Sequence, residues 1–541
     1  MIMFTSLGVL VFAAILSEAA FISDKNKTST LFQKLVVFMC AGIAYALVGF
    51  GLSEGKLILG ITSAFSESGT ISANLLQGVM VSVLIGMFAT NSIAERAQNL
   101  VYGGLALVVG IIIEPALNIL LQPNALLTKM GFLDNQTISI QLAIAVIAFV
   151  SANQIGARLG KYQNDTVNAL PSSNLYLIIF SVLLSWIGWP LFVQIVLEQR
   201  ELADLHTKFF FVILLIPAIN FLVALLISKI HYHYVDVVLV MHATSLGIIS
   251  SASVGTQTNI VALIATNILS VPLLFWFIEW LDKKAKIDDP SSIIAIFGIS
   301  SLQVLILKML FSNVSTSLGN NKLQWFIGSI VGYILLAIFV SMIAYISLKV
   351  ISYSSRGTRL STMEETVGKD SSIFHLPANF QGLPAVNYSK VPVMEQVDVE
   401  QVKPTLTVEE QDNPNKQFTD SSNTSTIRKF EILTNPNRFD RLVEELNAIG
   451  VAGMNVSNVT GFGVQKGHSS YYRGLEVDTN FLPKIKLEVV VNTISTTDML
   501  QAIQRALYTG HVGDGKVFIS TINHVIRVST GEHDSQALEY E

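Results

Sequence analysis

The sequence predicts a polytopic α-helical membrane protein of eleven spans followed by a smaller α+β domain of ferredoxin-like type. Three observations predict it. Across 541 residues, 51% are apolar and 13% charged, with a mean hydropathy of +0.54, a balance that excludes an ordinary water-soluble protein. The apolar residues gather into runs close to the roughly twenty residues that cross a bilayer, and these runs stop near residue 352. Beyond that point most of the acidic residues collect, and strand-like and helix-like patterns alternate. The net charge of −5 therefore belongs to the C-terminal part and offers no basic surface to a nucleic acid. The single cysteine, Cys40, excludes an intramolecular disulfide and a Cys-based zinc site, and its apolar run reads it as a small buried side chain.

In order, the runs cover approximately 2–22, 33–53, 73–93, 99–121, 137–157, 173–198, 208–230, 237–254, 257–281, 291–312 and 323–352. An odd number of spans puts the two termini on opposite sides. The first run contains Glu18, lacks a basic start and leads straight into further spans, so it reads as a mature helix and not a cleaved leader. Basic residues set the orientation. With the C-terminus inside, the inner loops and flanks hold Lys25, Lys27, Lys34, Arg96, Arg158, Lys161, Lys229, Lys283, Lys284, Lys286, Lys349, Arg356 and Arg359. The outer ones hold only Lys56, Lys129, Arg200, Lys208 and Lys322. The expected topology is N-terminus outside and C-terminal domain in the cytoplasm.

Within the apolar part, SIAERAQNLVYGG (92–104), TKMGFLD (128–134), GARLGKY (156–162), LPSSNLYLIIFSVLLSWIGW (170–189) and KIDDP (286–290) occur in an order that resembles the Amt/Rh ammonium transporters. RLSTMEETVGKD with His375 resembles that family's regulatory tail. The resemblance implies a bacterial cell-membrane protein: a homotrimer of eleven-helix subunits, each with a narrow pore built from two inverted five-helix repeats. It also implies a pore with two histidines, a vestibule with a tryptophan and a serine, and two stacked phenylalanines. This chain departs from that pattern: Gln141 and Phe297 stand at the histidine positions, Gln122, twelve residues before Asp134, at the tryptophan, and Val196 at the serine. Leu76 replaces one phenylalanine, and Phe192 keeps the other. A dehydrated cation in an apolar path needs polar partners, so these losses predict weak ammonium conduction.

Other polar groups in the spans are Glu18, Asn153, Gln154, Glu279 and Glu114, which stands at a tyrosine-like position and is a candidate cation ligand. His242 reads as a packed helix-end histidine, Lys308 as snorkelling from helix ten, and His231 and His233 as solvated. The domains expected are a membrane domain over 1–354, its tail over 355–375, a linker over 376–426 and a signalling domain over 427–541. The linker's Pro, Asn, Ser, Thr and Glu content cannot repay the entropy of ordering, and about fifty flexible residues reach on the order of 40 Å.

In the last domain RKFEILT, MNVSNVTGFG, KIKLEVVVN and KVFISTI read as strands, and PNRFDRLVEELNAIG and TTDMLQAIQRALYTG as amphipathic helices, a double βαβ unit. VIRVSTGE (525–532) reads as a further strand. The loop string GFGVQKGHSSYYRGLEVDTNFLPK (461–484), with TGHVGDGKVF (509–518), resembles the PII nitrogen-signalling family. That resemblance implies a homotrimer with adenine nucleotide (ATP, ADP or AMP) in its clefts. It places Gly463, Gly513, Asp514, Gly515, Lys516 and Arg527 at the nucleotide, with Gln465 coordinating Mg and holding 2-oxoglutarate with Lys484. Val464, Ser529 and Asn455 depart from the pattern, and Val477 replaces a tyrosine that some relatives modify. Tyr472 and Arg473 belong to the loop by which relatives plug the inner mouth of the ammonium pore. The sequence shows no nucleophile, metal cluster or acid–base pair, so no enzyme is expected. Three readings follow: a channel controlled in cis by its PII domain, a non-conducting receptor for ammonium or another cation, and a membrane anchor for PII.

Overall fold

The computed structural model describes residues 2–372 and 427–538, apart from 56–72, 123, 133, 135, 164–165, 169, 171–173, 198–206, 255–258, 312–321, 355–356, 368, 436–437, 452, 463–469, 473–474, 478–480 and 509–514. Its chain divides into one compact unit built on Met1–Leu383 and a second built on Pro384–Ser470 and Asp478–Glu541.

Among the described residues the first unit holds 11 helices long and apolar enough to cross a membrane. They are α1 (Ile2–Ala19), α2 (Lys27–Ser53), α3 (Ala73–Ile93), α4 (Asn99–Leu120), α5 (Thr137–Ile155), α6 (Leu175–Gln194), α7 (Thr207–Tyr232), α8 (Val237–Val254), α9 (Ile260–Ala285), α10 (Ile293–Phe311) and α11 (Trp325–Ser354). Every expected span is present. The second begins earlier than its apolar run because Lys27–Gln33 already form helix. The packing partners repeat at an offset of five: α2 on α3, α2 on α4 and α3 on α5 recur as α7 on α8, α7 on α9 and α8 on α10. The two halves meet through α1 on α6 and α5 on α10, while α11 lies along α4 and α5. This is the arrangement of a five-helix repeat used twice.

Small residues set the closest approaches. A Cβ on Gly49 would lie 2.1 Å from the Gly110 carbonyl oxygen, and one on Gly110 would lie 2.6 Å from the Ala41 carbonyl oxygen. Here α2 and α4 each widen into a π-turn, Tyr45–Gly49 and Val109–Ile113.

Basic loops gather at one end of the bundle. Arg158 donates from Nε to Asp288 Oδ2 at 2.8 Å and from Nη2 to Oδ1 at 3.1 Å, and Arg96 donates from Nη2 to the Asp288 carbonyl at 2.6 Å. Burial works against an ionised Asp288, yet Arg158 and then Arg96 outweigh it and hold its carboxyl well below the usual range. Glu95 Oε1 accepts from Ser23 N at 2.7 Å, Ser23 Oγ at 2.6 Å and Asn26 Nδ2 at 3.0 Å. The tail closes this end. Leu360 N donates to the Arg96 carbonyl, the Glu365 carboxylate accepts from Leu159 N and pairs with Arg359 at 2.9 Å, and Asp370 caps α2 through Thr28 N and Ser29 N. Lys34, counted from the sequence among the inner loops and flanks, is not exposed there. It is fully buried, 2.5 Å from Glu18, with its other bonds to Met87 O, Thr90 and Asn91.

The second unit contains β1 (Arg428–Thr434), α12 (Phe439–Ala448), β2 (Asn455–Phe462), β3 (Phe481–Val491), α13 (Thr496–Leu507) and β4 (Lys516–Thr521). The sheet is antiparallel with spatial order β2-β3-β1-β4, the ferredoxin-like arrangement. Phe430, Ile432, Leu487 and Val489 point to the side covered by Leu442, Leu446, Met499 and Ile503 of the helices. Lys429, Glu431, Lys486 and Glu488 alternate on the open side in a ladder of exposed ion pairs, the kind that contributes little to stability. VIRVSTGE is not a strand. Gly531, at φ +74°, turns the chain back so that Arg527 N donates to Glu532 O at 2.9 Å, and only the isolated bridge Ile526 to His533 remains.

Candidate functional site

The centre of the first unit is aromatic. Phe297 on α10, read from the sequence as standing at the second histidine position, lies 5.3 Å from Phe88 and 5.8 Å from Trp189, ring centre to ring centre. Phe192 meets Trp189 edge-on at 5.8 Å and is fully buried. These contacts follow from local sequence: Pro190 interrupts the hydrogen-bond ladder of α6 and a π-turn begins at Phe192. Phe88 is a member that the sequence does not mark, since one phenylalanine in the apolar run of α3 carries no signal of its own.

Beneath this cluster is a cavity of about 30 Å³, room for one or two molecules the size of water. Its lining includes Ser17, Phe21, Trp189, His242, Ser291 and Phe297. The Trp189 Nε1 and Ser291 Oγ atoms are buried without a hydrogen-bond partner. His242 is not at a helix end: it lies inside α8, 4% exposed, with its ring 5.9 Å from Phe21. Gln141, read from the sequence as standing at the first histidine position, donates from Nε2 to Ser253 Oγ at 2.6 Å, while its Oε1 has no partner.

The remaining candidates are not brought together with this cavity. Asp134 accepts from Thr137 Oγ1, Ile138 N and Ser139 N, so it caps α5. Lys308 does not snorkel; it pairs with Asp134 at 3.5 Å and donates to Thr137. Gln122 is exposed and Leu76 half-buried. Glu114 is fully buried beside Asn118 and Tyr45 on α4 and α2. A larger cavity of about 470 Å³ opens at the basic end, lined by Lys25, Glu95, Arg158 and Glu365 among others.

In the second unit, β1 brings two candidates to one end of the sheet. Lys484 donates from Nζ to Asn435 Oδ1 at 2.5 Å, and Leu433 pairs with Lys516. Gly515 has φ +149°, and a Cβ there would lie 2.6 Å from the Leu433 carbonyl oxygen, so the approach requires glycine. Arg527 lies on the C-terminal turn, paired with Glu532 at 2.8 Å and bonded to the Ala537 carbonyl at 3.2 Å. Gly463, Gln465, Arg473, Gly513 and Asp514 lie outside the described residues, as do the Tyr472 side chain and the expected linker.

A repeated five-helix bundle with a central aromatic cluster, joined on one chain to a ferredoxin-like domain with a glycine-dependent strand end, defines a membrane transport protein fused to a signalling domain. Comparisons with known proteins make the class particular. The family model described as Ammonium Transporter Family matches residues 1–378, and that described as Nitrogen regulatory protein P-II matches 427–532. The chain belongs to the Ammonium Transporter Family and carries a C-terminal domain of the PII family. That domain is 40% identical to the nitrogen regulatory protein P-II of Azospirillum brasilense and 41% identical to the nitrogen regulatory protein GlnK of Escherichia coli, each over 112 residues, 21% of this chain and 100% of the relative. A solved structure titled Sensor Amt Protein shares the membrane fold with a TM-score of 0.62 at 18% identity, covering 68% of this chain and 95% of that one. Candida albicans Mep2 shares it at 0.54 and 13% identity, covering 67% and 86%.

Proposed function

We propose that this chain is an ammonium-family membrane protein with a divergent pore, controlled in cis by its own PII domain. The observation that carries the reading is that both families stand on one chain, with the membrane domain's tail bonded to the start of α2 and to the loops before α4 and α6. In this reading the protein is a homotrimer in the bacterial cell membrane with its N-terminus outside and its PII domain in the cytoplasm. Adenine nucleotide binds through Gly513, Asp514, Gly515, Lys516 and Arg527, and Gln465 and Lys484 take Mg and 2-oxoglutarate. ADP or AMP leaves the loop of Tyr472 and Arg473 extended, so that Arg473 seals the inner mouth of the pore; Mg-ATP with 2-oxoglutarate withdraws it. A tether of about fifty residues gives an effective concentration on the order of a millimolar, so weak docking suffices.

A second reading, a non-conducting receptor for ammonium or another small cation, is favoured by Phe297. It fills with aromatic carbon a place where the conduction reading needs a proton acceptor. Ammonium flux into proteoliposomes separates the two. Weak wild-type flux that rises in Gln141→His/Phe297→His and falls with ADP supports the cis-controlled channel. Zero flux in every state, with adenine nucleotide still bound by calorimetry, selects the receptor. Strong wild-type flux indifferent to position 141 refutes the divergent-pore reading.

A further inference from the structure

Glu114 is a carboxylate within a membrane-spanning helix, 0% exposed. Among the described residues no Lys, Arg or His forms an ion pair with it, and the groups that act on it are the neutral Tyr45 and Asn118. Its Oε1 accepts from Asn118 Nδ2 at 2.7 Å, and its Oε2 has no hydrogen-bond partner. An ionised carboxylate left so in low dielectric is costly unless a cation or a proton answers it.

The surroundings hold one hydroxyl oxygen and one amide donor close to that carboxylate. Asn118 Nδ2 also reaches the Tyr45 hydroxyl at 3.2 Å, which fixes the phenol beside Glu114. The Tyr45 ring lies on α3 where a Cβ at Gly78 would sit, 2.1 Å from Cζ, so a third helix holds it in place. Tyr45 opens the π-turn of α2, and Glu114 directly follows that of α4. In the α4 turn the Glu114 N–H goes to the Val109 carbonyl, so the next donor in the π pattern falls at Pro115, which has none, and the Gly110 carbonyl lacks its helical partner. From Asn118 a file of amides continues outward: Gln136 donates to Asn118 Oδ1, and Gln77 donates to Gln136 Oε1 at 3.2 Å. Gln77 and Gln136 are half-buried, and each amide can present either its oxygen or its nitrogen.

We propose that the Glu114 carboxylate, with the Tyr45 hydroxyl oxygen, is a binding site for one small monovalent cation such as potassium or ammonium, away from the aromatic-lined cavity. One carboxylate among neutral oxygens matches a single charge, whereas a divalent ion gathers several carboxylates or keeps its waters. Glu114 is absent from the lining of the central cavity, so the ion is held between α2, α3 and α4 and is not passing along the pore. The site is independent of conduction, because it asks only that the cation bind the folded state.

The test is thermal unfolding of the purified full-length protein in detergent with ammonium, potassium, rubidium, sodium or choline chloride at equal ionic strength. Wild type should unfold about 3 °C higher with ammonium, potassium or rubidium than with choline. Glu114→Gln should lose that difference, and Tyr45→Phe should reduce it. The ion giving the larger shift decides between the alkali and ammonium sources. If Glu114→Gln fails to fold, Tyr45→Phe and Asn118→Leu carry the test. A shift equal in wild type and all variants, or absent from wild type, overturns the site, since Glu114 is then simply a protonated acid within its network. Either result leaves the flux experiment unaffected, so failure here is distinct from failure of the pore reading.

Discussion

The basic end of the membrane bundle and its centre are both buried, yet the carboxylates Asp288, Glu95 and Asp370 at the first are answered and three polar atoms at the second are not. At the basic end, Asp288 meets two guanidinium groups, Glu95 accepts three hydrogen bonds from Ser23 and Asn26, and Asp370 caps a helix. At the centre, Trp189 Nε1, Ser291 Oγ and Gln141 Oε1 have no partner. Buried polar groups are normally satisfied; Asp288, Glu95 and Asp370 follow that rule, whereas the three central atoms, like Arg96 Nε at the basic end, have no hydrogen-bond partner among the described residues. The difference also separates two kinds of change: one removes a counter-charge, the other a neutral group.

The contrast breaks most severely at Asp288. Asp288→Ala leaves Arg158 and Arg96 buried without their carboxylate, and thermal unfolding should show a loss of about 3–5 kcal/mol. A variant as stable as wild type would mean the network is ornamental. Acid should act in the same sense. The depressed carboxyl stabilises the fold fully above its ordinary value of 3.8, and that contribution drains away as pH falls below it.

Lys369 sharpens the comparison more gently. It is fully buried against Gln33 and the Tyr102 ring, and burial, opposed by Glu18 and Glu95, lowers its pKa from 10.5 to about 8. The released tail then binds a proton more strongly than the docked one between those two values. Docking should therefore tighten as pH rises from 8 towards 10.5, by up to about 3 kcal/mol, and be weakest below 8. Hydrogen exchange of residues 358–370 against pH measures it, and Lys369→Gln should flatten the profile. The smallest effect belongs to the centre: Trp189→Phe trims one ring from a buried aromatic cluster, so stability should fall by about 1–2 kcal/mol, mostly from lost packing. A much larger loss would show that the indole N–H is answered.

Patterns that run along the chain are legible in the residues themselves. The eleven spans, the βαβ repeat, and Gln141 and Phe297 at their places on α5 and α10 all follow from local periodicity and counting from motifs. What the sequence conceals are partnerships across it. Lys34 reads as a flank because its counter-ion, Glu18, lies one helix away, and KIDDP does not reveal that its first aspartate binds arginines 130 and 192 residues earlier. VIRVSTGE has strand composition, but Gly531 and the Arg527–Glu532 pair fold it onto itself, a case of local chemistry overriding propensity. His242 reads as a helix-end residue because its string HATSLG does not resemble the family's histidine motif, whereas α8 runs through it from Val237 to Val254.

The tail also has a mechanical meaning. Its clasps lie in sequence: the Asp370 cap is nearest the linker, then Glu365 on Leu159 and Arg359, then Leu360 on Arg96. Tension arriving along the linker therefore loads the Asp370 cap first, exposing the Thr28 and Ser29 amides at the start of α2 while the later clasps still hold. Such a fastening yields like a zip and not like a button. A weak pull would loosen one helix start, and a stronger one would reach the loop before α6 and then the loop before α4.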